Sequence, residues 1–242
     1  MIPVDSLLYK IDQRLNKLST NFHQSIQLED KILALNEAQI KLIKQKIDGS
    51  TINGLGLDAF KKRYEDLQSL VEKYVDHGLD LELKDPKINQ WTAPLNALTP
   101  KYMFYVDSYL IADKGQCKDR KIWINADLLK HGDPQFFLLN DHYKPSFEYQ
   151  ETFNMLSSDY IDVFTDGTFT PKKLYLSYMR YPKYIDKTGY IKLDGTNSVD
   201  QDSELESYLE DELLDLTVQN LAMYTENISA VQTSQMRIQT NE

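Results

Sequence analysis

Between Pro3 and Ile47 an apolar residue recurs every three or four positions, with no glycine and no proline after Pro3. Spacing of that kind gathers apolar side chains on one face of a helix. Leu8, Ile11, Leu15, Leu18 and Phe22 alternate steps of three and four, the pattern of a seam for one or two partner helices. The following step, to Ile26, is again four, a stutter that rotates the seam around the helix. Ile26, Leu33, Ile40 and Ile47 then run parallel to Leu28, Leu35 and Leu42, and the stripe broadens into a face suited to a layered core. One continuous helix is expected, about 65 Å long at about 1.5 Å per residue. A compact body of this chain length is narrower than that, so such a helix projects. Ser19-Thr20-Asn21, three poor helix formers, mark an alternative break. Residues 5–24 read as an interaction arm and residues 26–47 as a docked element.

Gly54 and Gly56 lie in a turn, after which Phe60, Tyr64, Leu67, Val71 and Tyr74 predict a second helix over 58–77, stopped by Gly78. An antiparallel helical hairpin with 26–47 follows. From Leu79 the period changes. Pro86, Pro94 and Pro100 punctuate a polar stretch, and 101–111, 120–125, 160–164 and 173–179 alternate as strands, with 147–154 as a further candidate. Ile122 and Ile124 fall on one face of their strand and Trp123 on the other. Residues 126–149 read as irregular around the apolar knot Phe136 to Leu139. Ser203 and Glu206 form a capping-box pattern before a helix bearing Leu205, Leu209, Leu213, Leu216, Val218 and Leu221. The fold class is α+β: a long N-terminal helix and helical hairpin, a small antiparallel β layer, a C-terminal helix and an extended tail. The expected divisions are 1–78, 79–227 and 228–242.

Composition narrows the picture. With 16 Tyr, 9 Phe and 41% hydrophobic residues the chain of 242 residues has the means to build a core, and no apolar run is long enough to span a membrane. Residues 1–5 lack the basic and apolar regions of a signal peptide, so a protein retained where it is made is expected. The formal charge of -10 opposes tight wrapping of nucleic acid but is compatible with an acidic lumen that lets DNA pass.

Candidate chemistry is sparse. The carboxylates from Asp200 to Asp215 suit a cation or acid–base work, yet negative charge is favourable at the start of a helix for dipole reasons alone. His131, Asp133, Asp141 and His142 sit among turn-forming residues, and Cys117, the single cysteine, has no histidine beside it in its expected hairpin turn. No catalytic, cofactor or metal residue is expected. Arg180, Tyr181, Pro182 and Lys183 end a strand with a proline and residue types favoured at interfaces.

Pro171 to Asp186 (PKKLYLSYMRYPKYID) and Ser203 to Val218 (SELESYLEDELLDLTV) resemble structural proteins of crAss-like bacteriophages, as does the start from Met1 to Arg14. Glu206 stands where that family usually has proline, and Leu209-Glu210 where it has Leu-His. The resemblance implies a virion subunit made in the host cytoplasm and built into a dodecameric ring of the head-to-tail connector or tail barrel. Its implied partners are copies of itself, the portal protein and adjacent tail rings, with genomic DNA passing through the lumen and no membrane. Leu8, Ile11, Leu15, Leu18, Phe22 and Arg180 to Lys183 are the expected contacts. The alternative is a cytosolic coiled-coil scaffold or adaptor that grips a partner with the opening helix; an enzyme is a third reading, for which no carboxylate pair among so many is distinctive.

Overall fold

The computed structural model describes residues 1–18, 26–48, 65–73, 78–114, 121–129, 134–140, 142–192, 195–224 and 236. The helices named below are α1 (Val4–Leu18), α2 (Leu28–Asp48), α3 (Pro134–Leu139) and α4 (Glu210–Tyr224). The chain divides into two compact units, an inserted one, Val71–Tyr181, and a terminal one built from Met1–Leu70 with Pro182–Glu242. This grouping differs from the linear order expected at 1–78, 79–227 and 228–242, because α4 packs against α1 and α2. The expected tail lies outside the described residues apart from Met236.

The inserted unit is a single sheet of nine strands, much larger than the small antiparallel layer expected. They are β1 (Val71–Glu72), β2 (Leu79–Asp80), β3 (Glu82–Asp85), β4 (Gln90–Pro94), β5 (Tyr102–Asp113), β6 (Lys121–Leu128), β7 (Glu151–Ser157), β8 (Tyr160–Phe164) and β9 (Thr170–Arg180). Their order is β1-β9-β5-β6-β7-β8-β4-β3, with β2 also on β9. The sheet is mixed, since β6 and β7 run parallel while the other pairs are antiparallel.

Segment 79–85 explains its curl. Leu79 and Asp80 pair with Leu174 and Lys173 of β9, while Glu82 and Leu83 pair with Thr92 and Trp91 of β4. One short stretch of chain thus ties strands from opposite ends of the ladder. Alternation then sends Leu110 and Ala112, Ile124, Ile161 and Val163, and Leu174, Leu176 and Tyr178 into one enclosed core, with Phe147 and Phe169 packed beside them. The conserved physics of a period of two places Trp123 on the outside, 53% exposed, as its neighbour Ile124 is fully buried.

Where the inserted unit begins and ends, the strands meet. Val71 pairs with Met179 and Glu72 with Tyr178, and the Arg180 Nε donates to the Glu72 carboxylate at 3.0 Å. Residues 71–181 expressed alone are therefore expected to fold, giving a β-type circular dichroism spectrum and cooperative melting; a random-coil spectrum would contradict this closure.

In the terminal unit two helices stand where one was expected. Ile26 and Gln27 are not helical, and α2 begins with Glu29 and Asp30 in its first turn, where carboxylates stabilise a helix start. The second expected helix, over 58–77, is also cut short. Residues 65–67 are helical and pass into a 3-10 turn, Gln68–Leu70, before Val71 and Glu72 leave as strand β1. The glycine-rich turn before it lies outside the described residues.

The centre of this unit is α4. Leu213 to Gln219 are buried without a break, as are Leu221 and Ala222. A helix covered on every side is a core element rather than a surface one. Its entry is not the expected capping box. Ser203 is taken up in a two-way backbone pairing with Ile2 (3.1 Å in each direction), and the helical turn starts at Ser207 after Glu206, whose side chain makes no capping bond. The cap on α1 likewise comes from afar: Val4 N–H donates to the Asp202 carboxylate at 2.9 Å.

Candidate functional site

Two residues of the apolar seam expected to face a partner, Ile11 and Leu15, are covered by the chain itself. Val4, Leu7, Ile11 and Leu15 form the buried stripe of α1, with Ile11 at 0% and Leu15 at 5% exposure, while Leu8 is half-buried. Leu18 ends the helix, and Phe22 lies outside the described residues. Ion pairs flank the stripe where α1 meets α4. Lys10 reaches Glu210 at 2.7 Å, and Arg14 bridges Asp211 and Asp215 at 2.5 Å each. An adaptor gripping a partner through Ile11 and Leu15 would first have to detach α1 from this packing.

The same pairs account for the acidic opening of α4. Besides Lys10 and Arg14, the buried Lys46 of α2 lies 2.7 Å from Glu212 and 3.4 Å from Asp66. Burial, followed by the influence of the Asp66 carboxylate, pushes the Tyr208 hydroxyl well above its ordinary value. These carboxylates hold helices together.

Arg180 to Lys183 fall on both sides of the unit boundary, which lies between Tyr181 and Pro182. In the inserted unit Arg180 is engaged by Glu72, and the Lys101 ammonium sits 5.6 Å from the ring centre of Tyr181, which is 43% exposed. In the terminal unit Pro182 is half-buried, and Lys183 meets the buried Glu204 twice, through its backbone N–H at 3.0 Å and its ammonium at 3.1 Å. Residues 182–185 belong to no helix or strand, and Asn36 of α2 bonds to their backbone. Its amide donates to the Ile185 carbonyl and accepts from the Ile185 N–H, both at 2.8 Å, with a further bond to Ile32 on its own helix.

A strap follows, pinned by the pairings Asp186 with Gln201 and Ile191 with Asn197. Burial raises the Asp186 carboxyl, but contacts from Lys192, the Tyr190 hydroxyl and the N–H groups of Val199 and Lys187 together outweigh it and hold the group below its ordinary value. The Thr188 hydroxyl, then its N–H, then Lys187 hold the exposed Asp200 down to about 2. Both folded values lie below the unfolded one, so the contribution of these groups is complete above the ordinary carboxylate pKa of about 4 and is lost as pH falls through the folded values. Amide-exchange protection at Thr188 and Val199 is expected to persist at about pH 5 and to fade on acidification toward about 2; protection unchanged down to about pH 2 would contradict it.

No protein-family model and no curated protein matches this sequence.

Of the other sequence candidates, Cys117, His131, Asp133 and Asp141 lie outside the described residues, and His142 is exposed in a turn capped by Asn140. Among the described residues no three His, Cys, Asp or Glu side chains group to hold a metal ion, and no helix is long and apolar enough to cross a membrane.

Two surfaces of the inserted unit escaped the sequence reading. The first surrounds α3, where Phe136 is 60% exposed, Leu139 86% and Tyr143, whose ring meets Phe136 and Phe137, 58%. The apolar knot was visible, but its exposure was not, since four consecutive apolar residues read equally as core. The second is the outer face of β9, β5 and β6. Register places Tyr109 beside Tyr175 and Asn125, and Ile111 beside Lys173 and Trp123. Trp123 meets Tyr109 edge-on (5.2 Å between ring centres, 74°) and Tyr175 at 5.1 Å and 52°. Gly78, at φ +65°, makes room for this wall: a Cβ there would come within 3.2 Å of the Tyr175 ring. The alternation that sends Leu110 and Ile124 inward was the available signal.

Proposed function

We propose that this chain is a non-enzymatic structural subunit of a bacteriophage virion. It assembles with copies of itself into a ring, dodecameric in the family it resembles, in the head-to-tail connector or tail barrel. The portal protein or neighbouring tail rings are its further partners, and genomic DNA passes through the lumen. The observation that carries this reading is where the two family-like segments fall. Pro171 to Arg180 lies in strand β9, bonded to β1, β2 and β5, and Ser203 to Val218 leads into α4, the buried centre of the terminal unit. The likeness therefore rests on the element around which each unit is built, and not on exposed loops.

A closed ring needs two different surfaces on each subunit. With Ile11 and Leu15 buried, contacts between copies fall to exposed apolar side chains, among them Phe136 and Leu139 on α3. Leu139→Arg is expected to reduce assembly while leaving the melting temperature nearly unchanged, because surface substitutions usually shift stability by less than about 0.5 kcal/mol. Mass photometry of the wild type and variant reads both species. The reading as a whole is tested by electron microscopy of the purified protein and of particles. A ring species supports it, and a compact monomer absent from virions overturns it.

A further inference from the structure

The aromatic wall on the outer face of the sheet opens onto a cavity of about 420 Å³, within the range of small-molecule sites. Among the described residues it is lined by Tyr109, Trp123, Ile124 and Asn125. We propose that this cavity binds a neutral pyranose of a glycan, with Trp123 as its stacking platform and Asn125 and Asp127 as its polar edge.

Three properties of the site select that ligand class. Trp123 is supported on two sides by Tyr109 and Tyr175, yet stays 53% exposed, so a large, rigid apolar surface is held in water. Beside it the Asn125 amide donates to the Asp127 carboxylate at 3.2 Å, which orients the amide and leaves its oxygen as an acceptor next to a charged one. A ligand with one apolar face and hydroxyl donors around its rim satisfies both features at once.

The surroundings disfavour the other ligands of aromatic sites. Asp127, with Asp107 on the same outward face, sets an acidic rim that repels phosphates and sulfates, while Lys173 is engaged by Asp80 at 2.6 Å. Ring centres only 5.1–5.2 Å apart are in mutual contact, so no slot is left between them to enclose an ammonium group. Steep angles between the rings likewise give no parallel-walled groove for a polyproline segment. A neutral sugar, apolar on one face, remains. This inference does not depend on ring assembly, and a monomeric protein that binds sugars would leave it standing.

The test titrates the full-length protein with neutral cello-, xylo-, manno- and N-acetylglucosamine oligosaccharides, followed by tryptophan fluorescence and calorimetry. Binding of at least one oligosaccharide is expected. Trp123→Ala should weaken it by about tenfold or more, and Trp123→Phe, which keeps an aromatic face, should restore part of the loss. Asn125→Ala, at an exposed position, provides a second variant that keeps the fold, and it too should weaken binding. No binding by any of these sugars, or binding indifferent to Trp123→Ala and Asn125→Ala, overturns the proposal. Binding of a decaproline peptide in place of sugars also overturns it, in favour of a peptide groove.

Discussion

Ile11→Asp should unfold the terminal unit rather than merely block its association with other copies. Ile11 is fully buried on the stripe of α1, in line with Val4, Leu7 and Leu15. Trimming a buried isoleucine to alanine alone costs about 2–5 kcal/mol, a large part of the roughly 5–15 kcal/mol that holds an ordinary domain together. A carboxylate at that place adds the penalty of an unpaired buried charge. Two-dimensional NMR separates the outcomes. The dispersed resonances of residues 71–181 should survive while those of α1 and α4 collapse. Ile11→Val, which keeps most of the volume, should cost only about 0.5–1.5 kcal/mol. A variant Ile11→Asp that stays folded throughout but fails to associate would return α1 to the role of a projecting arm.

Removing the Asn36 side chain is the second large effect expected. Asn36→Ala deletes three hydrogen bonds of 2.8 Å and leaves the N–H and C=O of the fully buried Ile185 without their partner. Each unsatisfied buried group costs about 1–3 kcal/mol, so a destabilisation of roughly 2–5 kcal/mol is expected in denaturant titrations, with amide exchange at Ile185 accelerating in parallel. Asn36→Asp keeps the acceptor for the Ile185 N–H but sets a buried carboxylate against the Ile185 and Ile32 carbonyls, and at neutral pH should cost at least as much as alanine. A loss below about 0.5 kcal/mol for the alanine variant would mean that water replaces the amide without penalty.

Local pattern in this sequence disclosed local structure well. Strand β8 has the boundaries expected of 160–164, β9 contains the expected 173–179, β5 holds all of the expected 101–111 but Lys101, and Trp123 faces away from Ile124 as the alternation requires. Strands β3 and β4 escaped because Glu82 to Asp85 carries no apolar alternation and Pro94 reads as a breaker, although a proline is tolerated at a strand end, where Pro94 pairs with Tyr160. Long-range pairing was the blind spot. Nothing near Ser203 announces that its backbone is taken by Ile2, and nothing near Asn36 announces Ile185. Periodicity identified α1 as amphipathic, but a buried seam against α4 and a seam against another molecule have the same spacing. The residues of the aromatic wall come from three strands and converge only through register, so no local motif contains them.

The pairing of Ile2 with Ser203, and of α1 and α2 with α4, also has a consequence during synthesis. The helix α4, which packs against α1, and Ser203, which pairs with Ile2, are translated after the whole inserted sheet. At roughly 5–20 residues per second the first helices wait about ten seconds or more for α4 to leave the ribosome. The sheet, whose strands are complete by Arg180, is free to form first. The order of maturation therefore runs from the middle of the chain outward, and through that interval the apolar stripe of α1 is the part of the nascent protein most in need of a chaperone.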